Sequence, residues 1–143
     1  MTIDLKRALV LLDLLDPANK YETMLRTAAI LTKLLEQNNV KPIIVGGFSV
    51  EIYTNRDYST YDIDIVTSDI VTVANILEKL GFIKEGRHFY HERLKIAIEF
   101  PDEPFALQIF SASLAKKAAM YFAWSCLNKP ACSDVYQFIR NMR

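Results

Sequence analysis

The 143-residue chain is short of the residues that announce a metal knuckle, a redox centre or a secreted scaffold. It has two cysteines, two histidines, one tryptophan and four glycines, and its formal net charge is zero. Cys126 and Cys132 have no companion pair, which is neither a zinc-ligand spacing nor a disulfide framework, so reduced thiols in a cytoplasmic protein are expected. His88 and His91 lie three apart in a stretch that reads as a strand; they fall on opposite faces and do not chelate one metal together. No apolar run approaches the ~20 residues that a membrane-spanning helix needs. The N-terminal "MTIDLKRALVLLDLLDPANK" carries Asp4, Asp13 and Asp16 without a small-residue cleavage signal, and reads as a helix, not a signal peptide. Repeats, low-complexity tracts and Gly/Ser linkers are missing too. A neutral chain also lacks the bulk positive charge on which a general nucleic-acid binder relies.

What is present is apolar: 51% of residues are hydrophobic and 24% charged, the balance of a globular domain. One domain over residues 1–143 is expected, with N-terminal helices (1–40), a sheet core (41–110) and C-terminal helices (111–143). Charge is uneven along it. Residues 41–81 hold three basic and six acidic side chains, whereas residues 111–143 hold Lys116, Lys117, Lys129, Arg140 and Arg143 against Asp134 alone. An acidic middle beside a basic end suits a cation together with a small anionic substrate.

Hydrophobic spacing predicts helices over 3–15 and 21–38, the second with Met24, Ala28, Leu31 and Leu35 on one face. Leu5, Leu9 and Leu12 are expected to pack the first helix onto the body. "KPIIVGG" reads as a buried strand closed by glycines, "FSVEIY" as a two-turn helix and "NRDYST" as a loop. "YDIDIV" reads as a strand. Ser68 is the expected cap of a helix with Ile70, Val73, Leu77 and Leu80 on one face, and Gly81-Phe82 is its stop. "FIKEG", "HFYHER", "LKIAIEF" and "ALQIF" read as strands, and helices follow Ser113 and Ser133. The fold class is therefore α/β (α+β): a mixed β-sheet flanked by helices.

The unusual chemistry lies between Val45 and Val66, in "VGGFSVEIYTNRDYSTYDIDIV". Strand alternation turns Asp62 and Asp64 to one face and Ile63 and Ile65 to the other. Two adjacent like charges repel, and a divalent cation such as Mg²⁺, which takes carboxylate oxygens along with substrate phosphates, relieves them. Read alone, the pair is equally compatible with a solvated face. Gly46 and Gly47 precede a helix, where a glycine backbone admits close approach and unpaired N–H groups face an anion. In "LKIAIEF", Leu94, Ile96, Ile98 and Phe100 share one face, leaving Lys95, small Ala97 and Glu99 on the other. Glu99 is the candidate third carboxylate; read from this segment alone, the same pattern also suits the exposed polar face of an amphipathic strand.

With these residues in place, "VGG…STYDIDIV" resembles the signature of the DNA polymerase β-type nucleotidyltransferase superfamily: Gly-Gly or Gly-Ser, a short helix, a loop, then Asp-hydrophobic-Asp. "HFYHERLKIAIEFPDEPFAL" and the Trp124-containing "SASLAKKAAMYFAWS" are similar to a small branch related to abortive-infection, toxin-type transferases. The resemblance spans roughly residues 42–125. It implies a minimal nucleotidyltransferase fold in which Asp62, Asp64 and Glu99 bind two Mg²⁺ ions, and Gly46 and Gly47 hold the triphosphate of an NTP. Ser49 would supply the phosphate-binding hydroxyl that Gly47 lacks, or else pack or cap the helix, and Lys116 and Lys117 would neutralise leaving-group charge. The implied reaction moves a nucleoside monophosphate to a hydroxyl of tRNA, protein or a small molecule, with an antitoxin or a second copy as partner and no membrane.

Departures from that pattern are Gly47 in place of serine, fourteen residues between Gly47 and Asp62, Arg56 four residues before Thr60, and Lys116-Lys117 where relatives carry an acidic-basic pair. Two alternatives stay open: an inactive nucleotide- or partner-binding module on the same fold, and an interaction protein whose Gly-Gly only turns the chain. Tyr58 and Tyr61 are the aromatic residues placed to stack a nucleobase, whereas Tyr121, Phe122 and Trp124 read as packing residues.

Overall fold

The computed structural model describes residues 3–53 and 59–101. The expected strand "ALQIF", the helices after Ser113 and Ser133, Lys116, Lys117, Arg56 and Tyr58 lie outside the described residues. Asp4 starts the first helix, α1 (Leu5–Asp13), by accepting the Arg7 N–H at 2.7 Å, which satisfies one of the donors that a helix start leaves unpaired. Asn19 does the same for α2 (Lys20–Glu36), accepting the Glu22 N–H at 3.3 Å.

Met24, Ala28, Leu31 and Leu35 are all buried on α2, as their spacing predicts. On α1 the buried side chains are Ala8, Leu11 and Leu12, with Leu5 partly covered, while Leu9 is on the rim at 37% exposure. Leu9 neighbours Ala8 in sequence, so a helical step turns it away from the stripe.

Among the described residues the sheet has five strands: β1 (Ile43–Val45), β2 (Asp62–Val66), β3 (Ile83–Glu85), β4 (His88–His91) and β5 (Ile96–Glu99). Their spatial order is β1-β2-β5-β4-β3. Of these pairings β2–β5 is parallel, and β1–β2, β5–β4 and β4–β3 are antiparallel. The mixed sheet with packed helices is the α/β (α+β) class that the element order predicts.

Pleating divides the sheet into two chemical faces. Ile44, Ile63, Ile65, Phe89, Ile96 and Ile98 join the main core with the α1 and α2 side chains. The other face carries a small apolar cluster of Ile43, Val45 and Val66, followed along β2 and β5 by Asp62, Asp64, Ala97 and Glu99, all partly exposed. Burying the first face fixes which residues the second presents, because a one-residue slip exchanges them.

Between β1 and β2 lies α3 (Gly46–Tyr53), which starts at the first glycine. The helix after β2, α4 (Ile70–Lys79), is capped by Asp69, not Ser68: the Asp69 carboxylate accepts both the Thr72 N–H (3.0 Å) and the Thr72 hydroxyl (2.6 Å). Asp69 reaches two donors, and Ser68 stands one residue too early. Starting the helix there leaves Ile70 48% exposed, while Val73, Leu77 and Leu80 are buried. Gly81 adopts the left-handed stop (φ +94°), and Phe82 is buried with its N–H donating to Leu77 O at 3.0 Å.

Asp69→Ala should lower the thermal midpoint while Ser68→Ala leaves it within error; equal losses in melts followed by circular dichroism would return the cap to Ser68.

Candidate functional site

The parallel pairing sets Asp64 directly opposite Glu99 and Asp62 opposite Ala97. Side chains of paired residues share a face, so the three acids converge: Asp62, Asp64 and Glu99 each offer a carboxylate oxygen, all within 4.8 Å of one another. Ala97 adds no bulk among them. The crowding has an electrostatic consequence. Burial pushes the Asp64 carboxyl up to about 6, and the charges of Asp62 and Glu99 push the same way, with His88 acting weakly against them. An all-oxygen donor set of three carboxylates from two adjacent strands fits a hard divalent cation, whose charge answers that repulsion.

The glycines meet this cluster from the β1 side. Val45 pairs with Asp64, so the chain leaves β1 beside that carboxylate. Gly46 has φ +67°, and a Cβ there would fall on Asp64 Oδ2. Glycine is thus required twice, once for the backbone angle and once for the space. The N–H groups of the first α3 turn have no intrahelical acceptors. Ser49 donates its hydroxyl proton to Gly46 O at 2.7 Å, which commits that proton to the helix in this arrangement.

Residues that the sequence did not assign to the carboxylate cluster complete the surroundings. His88 lies opposite Glu99, with Nδ1 3.6 Å from Oε2, and Arg87 Nη2 is 3.4 Å from Oε1. The two histidines do take opposite faces: His91 is turned toward Phe82 in an edge-on ring contact and accepts the Leu94 N–H at 3.2 Å, a structural role. Thr60 donates its hydroxyl to Asp62 Oδ1 (3.2 Å) and its N–H to Glu51 Oε2 (3.0 Å). Lys20, from the start of α2, places Nζ 3.5 Å above the Tyr61 ring. No periodicity marks Lys20 or Glu51 as site residues; only the tertiary packing of α2 and α3 beside β2 brings them there.

No protein-family model, curated protein or solved structure matches this chain. Among the described residues no helix is long and apolar enough to cross a membrane.

Two outcomes follow from this geometry. Gly46→Ala should destabilise by more than ~1–2 kcal/mol, since a backbone penalty of that size adds to displacement of Asp64; Gly86→Ala, at φ +63° with nothing within 4 Å, should show the backbone penalty alone. Urea melts giving equal losses would refute the close approach. Asp64 has a folded pKa above its unfolded value of 3.8, so the folded state holds its proton more tightly, and stability falls as pH rises from about 4 to about 6. In EDTA, Asp64→Asn should therefore gain on the order of 1 kcal/mol at pH 7, a figure reduced for partial solvent exposure, and the gain should vanish below pH 4.

Proposed function

We propose that the chain is a Mg²⁺-dependent nucleotidyltransferase that moves a nucleoside monophosphate from an NTP to an acceptor hydroxyl. The observation that carries the reading is the convergence of Asp62, Asp64 and Glu99 within 4.8 Å, beside a helix start whose Gly46 is pressed against Asp64. Its resemblance to the polymerase β-type signature supports the same reading. It carries with it a cytoplasmic setting, and a second copy or an antitoxin as the protein partner.

In this reading Asp62, Asp64 and Glu99 hold the metal. When bound, Mg²⁺ neutralises phosphate charge and makes an acceptor hydroxyl more acidic. The Gly46 and Gly47 N–H groups hold the triphosphate at the positive end of α3. Thr60 keeps Asp62 turned toward the cluster through its 3.2 Å hydrogen bond. The acceptor oxygen forms a bond to the α-phosphorus on the side opposite the leaving group. The bond from that phosphorus to pyrophosphate breaks, pyrophosphate departs with the electron pair, and the hydroxyl proton leaves to water.

A second reading has its own observation: Arg87 and His88 both approach Glu99, so the Arg87 guanidinium partly answers the acidic charge. A catalytically silent nucleotide-binding module would keep that arrangement.

Calorimetry with ATP, with and without Mg²⁺, should show binding that needs the metal and falls at least about tenfold in Asp62→Asn/Asp64→Asn. Metal-independent binding that ignores the double substitution would sink the transferase. Binding without any release of labelled pyrophosphate in the presence of cell extract would favour the silent module.

A further inference from the structure

An open cavity of about 540 Å³ lies beside the acidic cluster, between the start of α2, α3 and the residues leading into β2. Its volume falls within the ~300–1,000 Å³ of small-molecule sites. Asp16, Asn19, Lys20, Glu51, Ser59 and Thr60 line it, so its walls offer hydroxyl, amide, carboxylate and ammonium groups.

Three features mark it as more than a surface dent. Glu51 is 5% exposed, and a carboxylate is costly to bury unless it is given polar partners; the Thr60 N–H supplies one at 3.0 Å. Lys20 is held over the Tyr61 ring at 3.5 Å. Its pKa is lowered by burial, with the charges of Asp62 and Glu51 acting the other way. Thr60 belongs to both places: it lines the cavity, and its hydroxyl is bonded to Asp62. Gly46 thus lies against Asp64, while Thr60 ties the cavity wall to Asp62.

We propose that this cavity seats the acceptor, a small polyhydroxylated molecule, with one hydroxyl turned past Thr60 toward Asp62 and the others held by Lys20, Glu51 and Asn19. This rests on the transferase reading and narrows its acceptor from a macromolecule to a small molecule. Neighbouring donors and acceptors in one pocket suit hydroxyl groups, which both donate and accept. The triphosphate keeps the glycine side, so the two substrates meet at the carboxylates, and the bonds made and broken are those of the transfer described above. Lys20 acts here as a binding residue whose removal weakens the acceptor and spares the nucleotide.

The test uses the full-length chain with ATP·Mg²⁺ and glycerol, myo-inositol and glucose as acceptor probes, followed by mass spectrometry for an added nucleoside monophosphate. Transfer to at least one probe is expected. Lys20→Met and the cavity-filling Ser59→Trp should raise the probe's KM about tenfold or more, the loss of charge-assisted or shape contacts, with ATP affinity by calorimetry within about threefold of wild type. Lys20→Arg should recover part of the loss, and circular dichroism checks that each variant is folded. Loss of ATP binding in the cavity variants would assign the cavity to the nucleotide and overturn the proposal. So would label entering bulk tRNA or protein with none on the probes, or ATP·Mg²⁺ binding with no probe modified. Failure of the wild type to bind ATP·Mg²⁺ would instead remove the transferase reading itself.

Discussion

The parallel register between β2 and β5 is the constraint on which the rest of the molecule depends. It joins Asp64 to Glu99 across thirty-five positions of sequence, so the chain must cross over through α4 and the β3–β4 hairpin before the pair can form. Long-range parallel pairing returns its stabilisation late, after the loop entropy has been spent. What holds it is the opposite face of the same two strands, where Ile63 and Ile98 are register partners and both are fully buried. The apolar contact offsets the repulsion on the acidic side. Because pleating couples the two faces, the register that buries the isoleucines is also the register that gathers the carboxylates.

Much of this was legible in the sequence, because alternation is a local property. The faces of "DIDIV" and "IAIE", the buried stripe of α2 and the left-handed stop at Gly81 all follow from residues within a few positions of one another, whereas Leu94 and Lys95, expected in the same strand, lie in the turn before it, with Lys95 at φ +56°. Register between strands does not. That Asp64 meets Glu99, and that His88 stands on the far side of Glu99, depends on how β4 and β5 slide against β2, and no short stretch encodes that slide. Lys20 and Glu51 were illegible for the same reason. On its own helix Glu51 is one more polar residue, and only the packing of α3 beside the start of β2 buries it. Asp69 shows a smaller version: Ser and Asp both cap helices well, and the choice between adjacent candidates turns on which side chain reaches the Thr72 N–H and hydroxyl.

Three departures from local rules meet around the acids. A glycine at φ +67° opens a helix, a glutamate is buried, and three carboxylates share a few ångströms. A chain selected for stability alone has easier choices at each of these positions, and such departures concentrate where binding or chemistry is needed. Elsewhere among the described residues α1, α2 and α4 are capped and the sheet keeps an apolar face toward the helices; the other departures are smaller, Asn39 and Lys95 at positive φ and a buried Thr27 hydroxyl.

The cluster is not uniform, and its asymmetry says which carboxylate carries the strain. Glu99 has Arg87 and His88 within 4 Å. Asp62 has the Thr60 hydroxyl and feels the charge of Lys20. Asp64 lies between the two and has the weakest help: His88 is the smallest of the influences on it, behind burial and both neighbouring acids. Gly46 adds to this by closing one side with backbone while leaving no side chain in the way. The centre of the cluster is therefore the position most in need of positive charge, and the flanking cations answer it only at the edges. Asp64 also lies against Gly46, so the carboxylate with the least help stands at the start of α3, the end of the helix whose backbone N–H groups lack intrahelical acceptors and which carries the positive end of its dipole.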